Sequence, residues 1–175
     1  MKKQEAIKVI KEKMTPINEV IKDKKLIYFI DKMNKKGIKE HKKMGCVQPE
    51  TLFVLEKSDG SLELAYCYQE GEDKYKYFNM VEFFEKTMKP KYIISMYEGF
   101  CVSGFETQED INKIYEQYGA LKNHPECFDS FNISVKTQDE IFSGMAIVEG
   151  KKVGSLTWSK QEKSAGECNF TSFSA

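Results

Sequence analysis

The chain has 175 residues, 41% hydrophobic and 13% aromatic, which is enough for one domain with a true core and too rich in Phe, Tyr and Ile for a disordered chain. All 27 of its basic side chains are lysine, so arginine fingers, bidentate guanine contacts and arginine phosphate clamps are excluded. The formal charge is zero but uneven: residues 1–44 hold 14 lysines against 6 acids, and residues 45–175 hold 13 against 21.

The opening Met-Lys-Lys is like that of a signal peptide, but Glu5, Lys8, Lys11 and Glu12 interrupt any apolar h-region. The longest apolar run, Leu26–Ile30, is far short of the ~18–20 residues of a membrane helix. The expected location is the cytoplasm, with no membrane contact. The cysteines at 46, 67, 101, 127 and 168 are odd in number and scattered, without a Cys-x-x-Cys pair. Reduced thiols packed as small apolar groups are expected, with neither a disulfide framework nor a zinc site.

The chain begins with a helical pattern. Ile7, Ile10, Met14, Ile17 and Ile21 recur at steps of three and four, with lysines between them. Thr15-Pro16 interrupts this stripe and predicts either one helix kinked there or two helices, the second with Thr15 as its cap and Pro16 as its first residue. That helix is expected to run through Leu26–Met33 and stop at Gly37, although Leu-Ile-Tyr-Phe-Ile also fits a buried strand. Residues 1–44 thus form a lysine-rich helical segment, packed on the body or appended to it.

From residue 51 the period changes. Thr51–Lys57 and Ser61–Gln69 flank Ser58-Asp59-Gly60 and predict a hairpin, with Leu62, Leu64, Tyr66 and Tyr68 on one face. Tyr75–Phe78 reads as a third short strand. Asn79 and Glu82 have the capping-box spacing that opens a helix Met80–Met88 before Pro90. Tyr92–Val102 is a long strand. Thr107 caps a helix striped by Ile111, Ile114, Tyr115 and Tyr118, and Gly119 ends it. A meander of Phe131–Lys136, Glu140–Val148 and Val153–Trp158 closes the body, and residues 160–175 read as a loose tail. The expected class is α+β: a helical N-terminal segment and a mainly antiparallel sheet over 45–159 with two inserted helices.

The best constellation for chemistry is His124, Glu126, Cys127 and Asp129, beside the strand carrying Glu98 and Cys101. A histidine among carboxylates suits a divalent cation, and Cys with His suits a nucleophile–base pair of a small hydrolase. The spacing matches no established motif. The plainer reading is that Pro125 fixes a turn and His124 hydrogen-bonds the loop entering a strand. No metal or cofactor is therefore expected. Glu98 interrupts an apolar strand, either as a buried acid with a raised pKa or on the solvent face or at the strand end; the last two are preferred. No Gly-rich phosphate cradle or Gly-x-Ser-x-Gly elbow is present.

The lysine-rich segment offers the other candidate surface, through Lys8, Lys11, Lys35, Lys36, Lys39, Lys42 and Lys43. Such a surface suits an acidic protein partner or a nucleic-acid backbone. Six interspersed acids and the missing arginines favour the protein.

Tyr-Ile-Ile-Ser-Met-Tyr-Glu-Gly-Phe at 92–100, His124-Pro125-Glu126 and Gly154-Ser155-Leu156-Thr157-Trp158 together resemble a group of small proteins of bacteria and their phages. The resemblance covers about residues 91–158. It implies a strand, a helical insert, two further strands and a Gly-x-x-x-Trp close, with a mobile-element origin. No activity is established for that group, so the resemblance assigns no catalytic residue. The functional expectation is a non-enzymatic binding or regulatory protein, such as an inhibitor of a host nuclease or defence complex.

Overall fold

The computed structural model describes residues 3–102 and 107–161. Its elements are α1 (Lys3–Glu12), α2 (Ile17–Val20), α3 (Lys24–Met44), β1 (Glu50–Glu56), β2 (Leu62–Tyr68), α4 (Lys74–Met88), β3 (Tyr92–Cys101), α5 (Gln108–Tyr118), β4 (Phe128–Thr137), β5 (Ile141–Glu149), β6 (Lys152–Val153) and β7 (Thr157–Gln161). Every pairing is antiparallel. The strand order is β2-β1-β3-β4-β5-β6, and β7 pairs the other half of β5. The α+β class, the hairpin, the long strand and the first two strands of the meander are present; the third, expected over 153–158, is split into β6 and β7, with residues 154–156 outside any strand and the two pieces pairing different parts of β5. Of the tail expected at 160–175, residues 160 and 161 extend β7, and the remainder lies outside the described residues.

The N-terminal helices break at different places from those expected. Pro16 is itself the extended N-cap residue of α2, which is a single turn. The longer helix starts later, at Asp23, whose carboxylate accepts the N–H groups of Lys25 (3.0 Å) and Leu26 (3.2 Å) and also the Tyr92 hydroxyl. Leu26–Ile30 is helical, not a strand. Gly37 does not stop the helix, which runs on to Met44 and ends at Gly45 in the left-handed region (φ 81°). Gly37 instead faces the sheet: a Cβ there would lie 2.6 Å from Phe131 Cζ and 3.2 Å from Met96 Sδ. The ~1 kcal/mol that glycine costs inside a helix is offset by this close approach.

Helix α3 builds the main core. Leu26, Phe29, Ile30 and Met33 pack on Leu52 and Val54 of β1, Ile94 and Met96 of β3, Phe131, Ile133 and Val135 of β4, and Phe142 and Ala146 of β5. Full burial stabilises each such side chain by about 1.5–3 kcal/mol. Residues 24–44 are therefore structurally inseparable from the body. Trp158 lies over Gly144, its partner across the β5–β7 ladder, where a Cβ would come within 2.8 Å of the indole. Thr15 joins the same edge: its N–H donates to Thr157 Oγ1 (3.0 Å) and its carbonyl accepts the Trp158 N–H (2.9 Å).

The opposite face is built differently. Residues 75–78, expected as a strand, form the first turns of α4, because Asp73 caps the helix through the Lys76 N–H (3.0 Å) and Tyr77 and Val81, one turn apart, are buried. The Asn79–Glu82 spacing falls inside that helix and opens nothing. Tyr77, Val81 and Phe84 pack against Phe53, Cys67 and Ile93. The ladder registers align Thr51, Ser95, Ser134, Ser143 and Ser159 in one row across β1, β3, β4, β5 and β7. Thr51 is wholly buried, and its Oγ1 hydrogen-bonds the Tyr77 hydroxyl (2.6 Å) and Ser95 Oγ (2.7 Å). Ile7 of α1 covers the far end of this face with Phe128 and Ile147. Helix α5 has the expected Thr107 cap, which Asp110 completes as a capping box, and the expected Gly119 terminus.

Candidate functional site

The His124 region is a turn. Leu121–Asn123 forms a short 3-10 helix, His124 caps it, and the His124 carbonyl accepts the Cys127 N–H (3.0 Å). His124 Nδ1 accepts the Glu126 N–H (3.1 Å), and the ring meets Tyr118 edge-on with centroids 4.9 Å apart. Nδ1 is thus engaged by the loop backbone, and the hydrogen-bond partner of Cys127 Sγ is the Phe128 carbonyl at 3.9 Å. Burial pushes the Cys127 thiol up, and Asp129 and Cys101 add to the effect, the reverse of what an activated nucleophile needs. Asp129 is exposed. Among the described residues, no group of three or more His, Cys, Asp or Glu side chains is placed to hold a metal ion. The four described cysteines, Cys46, Cys67, Cys101 and Cys127, are free thiols, and Cys168 lies outside the described residues.

Glu98 belongs to a different histidine. It does not face open solvent but points toward the C-terminal end of α3, where its Oε1 meets His41 Nδ1. His41 is only 2% exposed, and its Nε2 lies 2.8 Å from the Gly150 carbonyl in the β5–β6 turn. Burial works against the imidazolium, but the acceptors at Gly150 and Glu98 outweigh it, and the His41 pKa is raised. Burial likewise lifts the Glu98 carboxyl, against the pull of His41 and the Val47 N–H. Two acceptors for two ring nitrogens fix His41 as a double donor that ties α3 to β3 and to the β5–β6 turn. With both nitrogens so occupied, the His41 ring has no lone pair for a metal or a substrate proton.

The lysines divide into two sets. Lys8 sits 3.8 Å from Glu12, Lys35 pairs with Asp31 (2.7 Å), and Lys11 reaches Glu149 (2.8 Å), tying α1 to the β5–β6 turn. Lys36 is held most firmly. Its Nζ lies 2.6 Å from Glu50, which is 1% exposed, and 5.5 and 5.1 Å from the ring centroids of Tyr66 and Tyr68. Burial disfavours its charge, but the Glu50 carboxylate prevails and raises the Lys36 pKa. Lys39, Lys42 and Lys43 are exposed and make no ion pair among the described residues.

Helical geometry explains that display. At about 100° per residue, Lys24, Lys32, Lys35, Lys39, Lys42 and Lys43 share an arc of roughly 100° on α3, opposite the arc of Leu26, Ile30, Met33 and Gly37 that meets the sheet. Tyr28, 63% exposed, lies within the lysine arc. Lys36 sits at its border and joins it to Tyr66 and Tyr68, whose rings stack 6.3 Å apart and are 38% and 47% exposed. The result is a rigid basic face edged by partly exposed tyrosines.

Sequence reasoning singled out Lys39, Lys42 and Lys43 but missed His41 and the tyrosine pair. His41 was legible in principle, because it continues the buried series Leu26, Ile30, Met33 and Gly37 at a step of four. The tyrosines depend on the β1–β2 register and on Lys36 reaching across from another element, for which the sequence gives no local signal. No helix among the described residues is long and apolar enough to cross a membrane. No family model, no curated protein and no solved structure matches the chain.

Proposed function

We propose that the chain acts by binding rather than by catalysis, as a regulatory protein that docks an acidic surface of another protein against the lysine face of α3. The carrying observation is the trio Lys39, Lys42 and Lys43, exposed and without an ion pair among the described residues, on a helix whose opposite arc is locked into the core. Lysines on a rigid scaffold steer association with an acidic partner, while tyrosines supply contact area at low entropic cost. Tyr28, Tyr66 and Tyr68 are placed to anchor such a contact, with lysines around them.

A nucleic-acid backbone is the other polyanion this face suits. The protein reading is favoured because Asp31, Glu40 and Glu50 interrupt or neutralise the lysine array. Deleting residues 1–44 would remove the core residues of α3 and unfold the protein, so the test is charge reversal. The tagged wild type and a Lys39→Glu/Lys42→Glu/Lys43→Glu variant are used to isolate partners from cells of the source organism. A stoichiometric protein held by the wild type and lost with the variant is expected. Equal capture by both, or tight salt-sensitive binding to duplex DNA in place of a protein, would overturn the reading.

A further inference from the structure

The cavity on the other side of the sheet goes beyond that docking reading. It has a volume of about 370 Å³ and lies between the first turns of α4, the 69–72 loop and the strands β1 and β3. Its origin is topological. β1 begins at Glu50, opposite Met96, so Tyr97 and Glu98 at the far end of β3 have no β1 partner, and α4 bridges the gap. Pro49, Phe78, Val81 and Tyr97 form much of the wall.

The floor is the hydroxyl chain Tyr77–Thr51–Ser95, whose members are 5%, 0% and 5% exposed. Three hydroxyls bring three protons, and the chain contains two hydrogen bonds. One O–H is therefore unspent, and because an unsatisfied donor on the wholly buried Thr51 would be costly, it falls at the Tyr77 end or the Ser95 end, where neither terminal oxygen has a second hydrogen-bond partner among the described residues. Because hydroxyls rotate, the whole chain can reorient to aim that donor at a ligand acceptor. An apolar enclosure with a few convergent polar groups is the usual anatomy of a small-molecule site, for which volumes of roughly 300–1,000 Å³ are typical.

The lining also sets the charge and size of the guest. Glu72, Lys74 and Glu98 line the cavity; the Glu98 carboxylate is engaged by His41, and Glu72 and Lys74 are of opposite sign, so the lining carries no net charge. A charged guest would lose its hydration against apolar walls with no net opposite charge to offset the loss. Cavities of ~150 Å³ hold a benzene ring, so this one has room for a fused bicycle.

We propose that this cavity is a binding site for an uncharged, flat molecule of one or two rings whose hydrogen-bond acceptor is received by the Tyr77–Thr51–Ser95 hydroxyl chain. Saturation-transfer NMR on the full chain tests it with three probes: coumarin, which has the shape and the acceptor; naphthalene, which has the shape alone; and coumarin-3-carboxylate, which adds a negative charge. Saturable binding of coumarin is expected, with naphthalene and the carboxylate at least about fivefold weaker, in line with one neutral hydrogen bond. Tyr77→Phe combined with Ser95→Ala keeps the shape, removes both terminal O–H groups, leaves only the wholly buried Thr51 hydroxyl and should reduce coumarin to the naphthalene level. Each substitution alone offers a milder change should the double variant fail to fold. The proposal falls if none of the three binds saturably, if coumarin and naphthalene bind alike to the wild type, or if coumarin is indifferent to both substitutions.

Discussion

The two faces of the sheet use different chemistry. On one, β3, β4 and β5 present Ile94, Met96, Phe131, Ile133, Val135 and Phe142 to a 21-residue helix that fits so closely that only glycine is accommodated at position 37. On the other, a row of hydroxyl residues crosses five strands, and α4 covers one end of it over a cavity. Dense apolar packing concentrates stability, whereas hydrogen-bonded hydroxyls contribute about 1 kcal/mol each and leave space. The first face holds the protein together and the second has room for a ligand. The helix that completes the first face turns its lysines outward.

The largest effect that would break this contrast is a cavity in the dense face. Val135→Ala should cost about 3 kcal/mol, against about 1.5 kcal/mol for Val81→Ala under α4, both read from urea denaturation. Equal costs would mean that the faces are not differently packed. Next in size is Lys36→Met, which leaves Glu50 buried without its cation. Because Lys36 is half exposed, the loss should be about 2 kcal/mol, below that of a fully buried pair. A neutral outcome by thermal melting would show that Lys36 belongs with the free lysines after all.

The His41 anchor sharpens the comparison through pH. A raised His41 pKa gives a contribution that is fully present below the ordinary value of 6.5 and lost as pH rises through the folded value. The raised Glu98 pKa acts in the same direction, in a window starting above 4.5. Stability followed by urea denaturation from pH 5.5 to 9 should therefore fall as pH rises, and Glu98→Gln should flatten the upper part of the curve. A wild-type profile that rises with pH would contradict the double-donor assignment.

Most of the framework was legible where local chemistry decided the outcome. The Ser58-Asp59-Gly60 turn, the Thr107 cap and Gly119 all act within a few residues, and each stands where the pattern placed it. Gly37 misled because its reason is Phe131, nearly a hundred residues away. Tyr75–Phe78 misled because the alternation of a short aromatic run is also compatible with the first turns of a helix, and Asp73 decided the matter. The candidate site was half readable for the same reason. Outward-facing lysines follow from helical periodicity, whereas the pairing of Glu98 with His41 instead of His124 depends on how α3 crosses the sheet.

The smallest expected effect on stability accompanies the largest on function. Reversing Lys39, Lys42 and Lys43 touches no buried group, so stability should stay within about 0.5 kcal/mol per site. The most direct test of the account is partner capture by this triple variant and the wild type at matched melting temperature. The account predicts that a stoichiometric protein partner disappears while the fold persists. Retention of the same partner by the variant would show that the lysine face of α3 is only a solvated surface.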